Sequence, residues 1–133
     1  MIGLLTLIGC AGERPTTLGA SDGQLGTCPD SPNCISSFES RESHQVAPLQ
    51  TSLADLKQVL TTLPEAAIIT DQSPYLYAEF TSRLMGYVDD VEFLEDATSG
   101  LVHVRSASRL GQSDLGANRK RIEGIRATLA GGQ

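Results

Sequence analysis

Three consecutive segments of this chain alternate apolar and polar residues, and only a few residues join each to the next. In Tyr75–Arg83, Leu76, Ala78 and Phe80 fall on one face, while Tyr77, Glu79, Thr81 and Arg83 fall on the other. In Val88–Leu94, Val91 and Phe93 oppose Asp90 and Glu92. In Leu101–Ser106, Val102 and Val104 oppose His103 and Arg105. Strand side chains point alternately to the two faces of a sheet, so these segments describe one apolar and one polar face. Links this short exclude parallel crossovers, which need a dozen or more residues, and leave an antiparallel meander. A fourth strand signal, Ala66–Thr70, precedes them across the turn Asp71-Gln72-Ser73-Pro74.

Two helices are expected to cover the apolar face. Ser52-Leu53-Ala54-Asp55 has the form of a capping box with Asp in the acidic role. Leu53, Leu56, Leu60 and Leu63 then recur at helical spacing, and Pro64 ends the run. The second helix is expected from about Asp114 to Leu129, with Ser113 or Asp114 as its cap. Leu115, Ile122, Ile125 and Leu129 share its apolar stripe. Asn118 falls in the middle of that stripe, where a buried amide needs partners, and the nearest are in the Ser106–Ser113 loop. Residues 35–50 read as irregular. With 133 residues, the chain makes one domain. The expected fold is α+β: a four-stranded antiparallel meander with two helices packed on one face, in two layers, after an irregular cysteine-containing segment.

Arg105–Arg121 is the densest polar run. Its 17 residues carry five basic side chains, three serines, Asp114 and Asn118. The net charge of −6 divides unevenly, because residues 1–100 hold four basic and fourteen acidic side chains while residues 101–133 hold six and two. An acidic total argues against a nucleic-acid partner, as does an aromatic content of 5% with no Trp, which leaves no stacking surface. Two readings of the run compete. In the first, Arg105, Ser106, Ser108, Arg109, Ser113, Asn118, Arg119 and Arg121 form an anion site, with arginine forks and a helix N-terminus as donors. In the second, the arginines pair with Glu79, Asp89, Asp90 and Glu92 and lock the last helix onto the sheet. A mixed outcome is expected, with Asn118 and Arg105 structural and Arg109 and Arg119 available.

Met1–Ile8 is apolar, and Leu7-Ile8-Gly9-Cys10 looks like a bacterial lipoprotein signal with Cys10 as the lipidation site. The run is short and no Lys or Arg precedes it, as expected of a signal whose start lies upstream of Met1. It is also far below the ~20 apolar residues of a transmembrane helix. On this reading the protein is lipid-anchored in the cell envelope and faces the periplasm, and Ala11 after the cysteine fits outer-membrane delivery in a Gram-negative host. Residues 11–27, rich in Gly, Thr and Ser, read as a flexible tether, so the domain is expected over residues 28–133. Cys28 and Cys34, in C-P-D-S-P-N-C, remain as an even pair whose spacing favours a disulfide, against free thiols or a metal site completed by His44 and His103.

The runs C-P-D-S-P-N-C-I-S-S, Y-A-E-F-T-S-R-L, V-D-D-V-E-F and H-V-R-S-A-S-R-L-G-Q-S-D-L-G-A-N-R-K-R-I-E together resemble the bacterial and plastid family known as domain of unknown function 1499. The resemblance extends from about Cys28 to the C-terminus. It implies an exported or lipid-anchored domain and supplies no activity.

No nucleophile elbow, phosphate loop or dinucleotide fingerprint is present, so no cofactor is expected. The functional expectation is a non-catalytic envelope module that binds a small anion, a lipid headgroup or an envelope protein. The alternative is a hydrolase assembled from His103 with Ser106 or Ser108 and a carboxylate. A carboxylate pair made by Glu79 with Asp90 or Glu92 is a further acid–base candidate.

Overall fold

The computed structural model describes residues 12–132, so Cys10 and the apolar run before it lie outside the described residues. The elements follow in the order β1 (Ala20–Ser21), β2 (Gln24–Leu25), β3 (Cys34–Ser36), a 3-10 turn (Glu42–His44), β4 (Leu49–Gln50), α1 (Leu53–Thr61), β5 (Ala66–Gln72), β6 (Tyr75–Thr81), β7 (Val88–Asp96), β8 (Leu101–Ser108) and α2 (Ala117–Gly131). The meander β5-β6-β7-β8 is present with every neighbour antiparallel.

The sheet has six strands where four were expected. β3 and β4 both pair with the outer edge of β8, β3 opposite Arg105–Ala107 and β4 opposite Leu101–Val102. Together they form one interrupted edge strand. Segments of three and two residues are too short to display a period, so residues 35–50 looked irregular. Their strand geometry comes from the unpaired backbone groups of β8.

Both helices lie on the apolar face, and the expected stripes form the core except for Leu115, which precedes α2 in a left-handed conformation and is 87% exposed. Leu56 and Leu60 of α1 and Ile122 and Ile125 of α2 close over Leu76, Phe80, Val91, Phe93, Val102 and Val104. The Ser52 hydroxyl accepts the Asp55 amide at 3.1 Å and caps α1 as expected. α2 starts three residues later than expected, at Ala117, because Leu115 and Gly116 are both left-handed, with φ of 53° and 80°. Asp114 still serves the helix end, since its carboxylate accepts from the amides of Gly116 (2.8 Å) and Asn118 (3.0 Å).

Residues 12–27 were expected to be a tether, and the structure lays them across the polar face instead. Arg14 reaches Glu79 at 2.8 Å, the Gly19 amide donates to Glu92 at 2.7 Å, and the Thr27 carbonyl accepts from Arg105 at 3.3 Å. β1 and β2 form a hairpin around Asp22-Gly23, both with positive φ, and Leu25 is buried. Asp-Gly is a strong short-range hairpin signal. A Gly- and Thr-rich composition masks it, and only the charged sheet face beneath gives this strap its partners.

Cys28 and Cys34 form a disulfide, so the free-thiol and metal alternatives fall away. A pair that sequence reasoning missed clamps this loop. Glu39 accepts from the Cys28 amide at 3.2 Å and from Arg41 at 2.9 and 3.0 Å, and Arg41 donates to the Cys28 carbonyl at 2.7 Å. The Arg41 hydrogen bonds hold the Glu39 carboxyl at about 2, against an ordinary value of 4.5. A depressed carboxyl stabilises the fold above its unfolded value, and the contribution is lost as pH falls from 4.5 towards 2. Glu39→Gln is therefore expected to lower the melting temperature at neutral pH and to flatten its fall across that acid window. Thermal melts of the two proteins over the window check this.

Candidate functional site

Alternation along β8 decides which groups meet. Arg105 and Arg109 point to the polar face, while Ser106 and Ser108 point to the helix side. The eight residues expected to form one anion site therefore divide among three places.

On the polar face, Arg109 grips Asp90 through two hydrogen bonds, at 2.9 and 2.8 Å, and also contacts Glu79. Its side chain is only 7% exposed. Tyr77 donates towards Asp90 and Glu79, and Arg109 in turn donates to the Tyr77 hydroxyl at 3.2 Å. Burial alone would raise the Glu79 carboxyl, but hydrogen bonds from Arg14, Arg109 and Tyr77 outweigh it and keep it below its ordinary value. Glu92 is held separately, by the Tyr75 hydroxyl at 2.6 Å and the Gly19 amide. Burial, then the neighbouring carboxylates, push both tyrosine hydroxyls up, so they remain donors.

On the helix side, Asn118 is fully buried and joins three segments. Its carbonyl accepts from Ser106 at 2.6 Å and Arg121 at 2.8 Å. Its amide donates to Asp114 at 2.8 Å, Ser108 at 3.0 Å and the Asn33 carbonyl at 3.2 Å. Arg121 continues the lock to Asp89 at 2.6 Å and lies over the Phe80 ring. Ser113 accepts the Leu115 amide at 3.3 Å and has no other side-chain bond among the described residues. Arg119 stands apart and donates to the carbonyls of Gln45 and Ser43.

The expected roles of Arg105 and Arg109 are thus exchanged. Arg109 is consumed by two carboxylates. Arg105 is the less satisfied cation: it donates to the Thr27 carbonyl at 3.3 Å, Glu92 Oε1 is 3.8 Å away while the two donors to that carboxylate bind Oε2, and the buried Arg105 Nε has no acceptor among the described residues. Arg105 lines a cavity of about 230 Å³ between the strap and the disulfide loop, with Glu13, Ser31, Asn33, Ser108 and Arg109.

The enzyme constellations fare differently. His103 and Ser106 lie on opposite faces of the sheet, so that pair does not form. His103 meets Ser37 instead, Nδ1 to Oγ at 2.9 Å, and stacks on Phe38 with 4.2 Å between ring centroids. Burial pushes the imidazole below its ordinary value, against the pull of Asp96. The Ser37 hydroxyl also accepts the Val104 amide at 2.9 Å, and no carboxylate bonds His103 among the described residues, so the pair serves the β3–β8 junction. Glu79 and Asp90 do converge, but on Arg109 and Tyr77, as a neutralised cluster. No group of three metal-ligating side chains occurs among the described residues.

The Asn118 hub sets a stability test. A leucine there leaves the Ser108 hydroxyl without its partner and removes one of two partners from the buried Ser106 hydroxyl, which keeps Arg121, and from the Asn33 carbonyl, which keeps the Ser108 amide, at ~1–3 kcal/mol for a buried group left unsatisfied. Asn118→Leu is expected to cost about 1–3 kcal/mol in urea denaturation, despite the added apolar surface.

Among known proteins, no curated sequence and no solved structure matches this chain. One family model, described as "Protein of unknown function (DUF1499)", matches residues 24–129, from β2 to the last turns of α2. That match takes in the disulfide loop, the whole six-stranded sheet and both helices, and the chain belongs to this family.

Proposed function

We propose that this protein is a non-catalytic module of the cell envelope, anchored by lipid on Cys10, that holds a small carboxylate or phosphate against Arg105. The single observation that carries the reading is the state of Arg105. Its guanidinium borders a cavity, its nearest carboxylate is 3.8 Å away, and its Nε is buried without an acceptor. With its nearest carboxylate at 3.8 Å, the guanidinium has donor capacity to spare for an acceptor that enters the cavity. Guanidinium offers two parallel donors that match carboxylate or phosphate. The domain has no positive field to draw anions in general, since its net charge is −6. Recognition is therefore local.

The anchor reading is supported by the Leu7-Ile8-Gly9-Cys10 pattern. Among the described residues no helix is long and apolar enough to cross a membrane.

The test is a melting series in inorganic phosphate and in acetate. A bound anion at 100 times its Kd adds about 2.7 kcal/mol to folding stability. Arg105→Gln is expected to stay folded and to lose the anion-dependent rise, and Arg105→Lys to retain only part of it. An undiminished rise in Arg105→Gln overturns the proposal.

A further inference from the structure

Five of the six large apolar side chains exposed among the described residues gather at one end of the sheet. Leu84, Met85 and Tyr87 belong to the β6–β7 turn, with exposures of 97%, 55% and 45%. Leu110 and Leu115 belong to the β8–α2 loop, at 49% and 87%. The two loops are neighbours: the Arg109 amide donates to the Val88 carbonyl, and Tyr87 and Leu110 line the same cavity of about 490 Å³. Leu115 is held at a φ of 53°, a conformation that costs a leucine about 1–2 kcal/mol, yet its side chain buries nothing in this fold. Clustered exposed apolar groups of this kind mark a contact surface.

The path of the strap says what covers that surface. A methyl group placed on Gly12 would lie 3.1 Å from the Leu110 side chain, so the strap starts against this loop. One residue, Ala11, separates Gly12 from Cys10, a span of at most about 7 Å. Because the strap is bound to the sheet from Gly12 onward, a lipid carried on Cys10 would be tethered within reach of Leu110. Arg83 in the turn and Lys120 in α2 make no ion pair among the described residues and suit phospholipid headgroups. Of the acids at this end, Asp89 and Asp114 are bound internally to Arg121 and to the start of α2, while Glu65, which lines a pocket with Arg83 and Lys120, and Glu13, beside Gly12, are exposed.

We infer that the β6–β7 turn and the β8–α2 loop form a membrane-docking face that seats the domain directly on the bilayer. Leu84, Met85, Tyr87, Leu110 and Leu115 enter the interface next to the anchor. The acyl chains and the loops then supply the two attachments that stable membrane binding requires. The inference rests on the lipid anchor at Cys10.

The chain contains no tryptophan, so a single one reports alone. Leu84→Trp and Leu115→Trp place it on the proposed face. Thr98→Trp, in the exposed β7–β8 turn, places it at the opposite end. The full chain, isolated from the membranes of the producing cell, is mixed with vesicles of phosphatidylcholine and phosphatidylglycerol containing brominated lipid. The expected result is blue-shifted, quenched emission from Leu84→Trp and Leu115→Trp and unchanged emission from Thr98→Trp. Protein that sediments with vesicles through Cys10, yet shows no difference among the three positions, overturns the docking face and leaves the anchor standing. A blue shift that grows with protein concentration and needs no lipid overturns it in favour of a second copy. Failure of the unsubstituted chain to sediment overturns both the anchor and the docking face.

Discussion

Asp90 and Glu92 stand two residues apart on the same face of a central strand, each 1% exposed. Burying a carboxylate costs several kcal/mol unless charge and hydrogen bonds replace its water. Most of this side of the molecule is arranged around that requirement. Arg109 comes back from the end of β8 to neutralise Asp90, Tyr77 and Tyr75 keep their protons and donate, and the Gly19 amide completes Glu92. The strap of residues 12–27 is a consequence. It contributes one buried leucine and little other apolar surface, and it stays down because the carboxylates beneath it are acceptors for its backbone and for Arg14.

The helix side solves a different problem with the same stretch of sequence. There Asn118 sits among aliphatic residues, and every hydrogen-bonding group it carries is used. A buried amide in this state fixes the position of its helix more narrowly than leucine packing alone, because its hydrogen bonds require one rotation of α2 and one height along β8. Arg121 then ties the same hub to Asp89. Residues Arg105–Arg121 therefore form two back-to-back polar systems, separated by the thickness of the sheet.

That division bears on function. An arginine-rich loop viewed as one surface implies a strong anion site, but Arg109 and Arg121 are neutralised by internal carboxylates and Arg119 is turned to backbone carbonyls. What remains is narrower: one under-satisfied guanidinium over a small cavity, and an apolar loop end close to the chain's N-terminal segment. A domain pressed against a bilayer by that end would present the Arg105 cavity at a set height and orientation to molecules of the envelope.

The meander, the two helices and the core were legible in the amino-acid sequence, because periods of two and of 3.6 are local properties that survive without knowledge of partners. The same alternation also separates Arg105 from Ser106, although proximity along the chain makes the run look like a single site. Other features carried no local signal. β3 and β4 are strands only because β8 has a free edge. The strap is ordered only because Glu79 and Glu92 lie beneath it. Arg109 and Arg105 have like side chains four residues apart on one strand face, and nothing local tells the neutralised one from the other. That difference is set across the sheet, where Asp90 and Glu79 converge on Arg109 while Glu92, bound to Tyr75 and Gly19 through one oxygen, holds the other 3.8 Å from Arg105. Local periodicity determined the elements and their buried faces. Tertiary structure alone decided which charges are satisfied, because hydrogen-bond partners are drawn from positions remote in the chain.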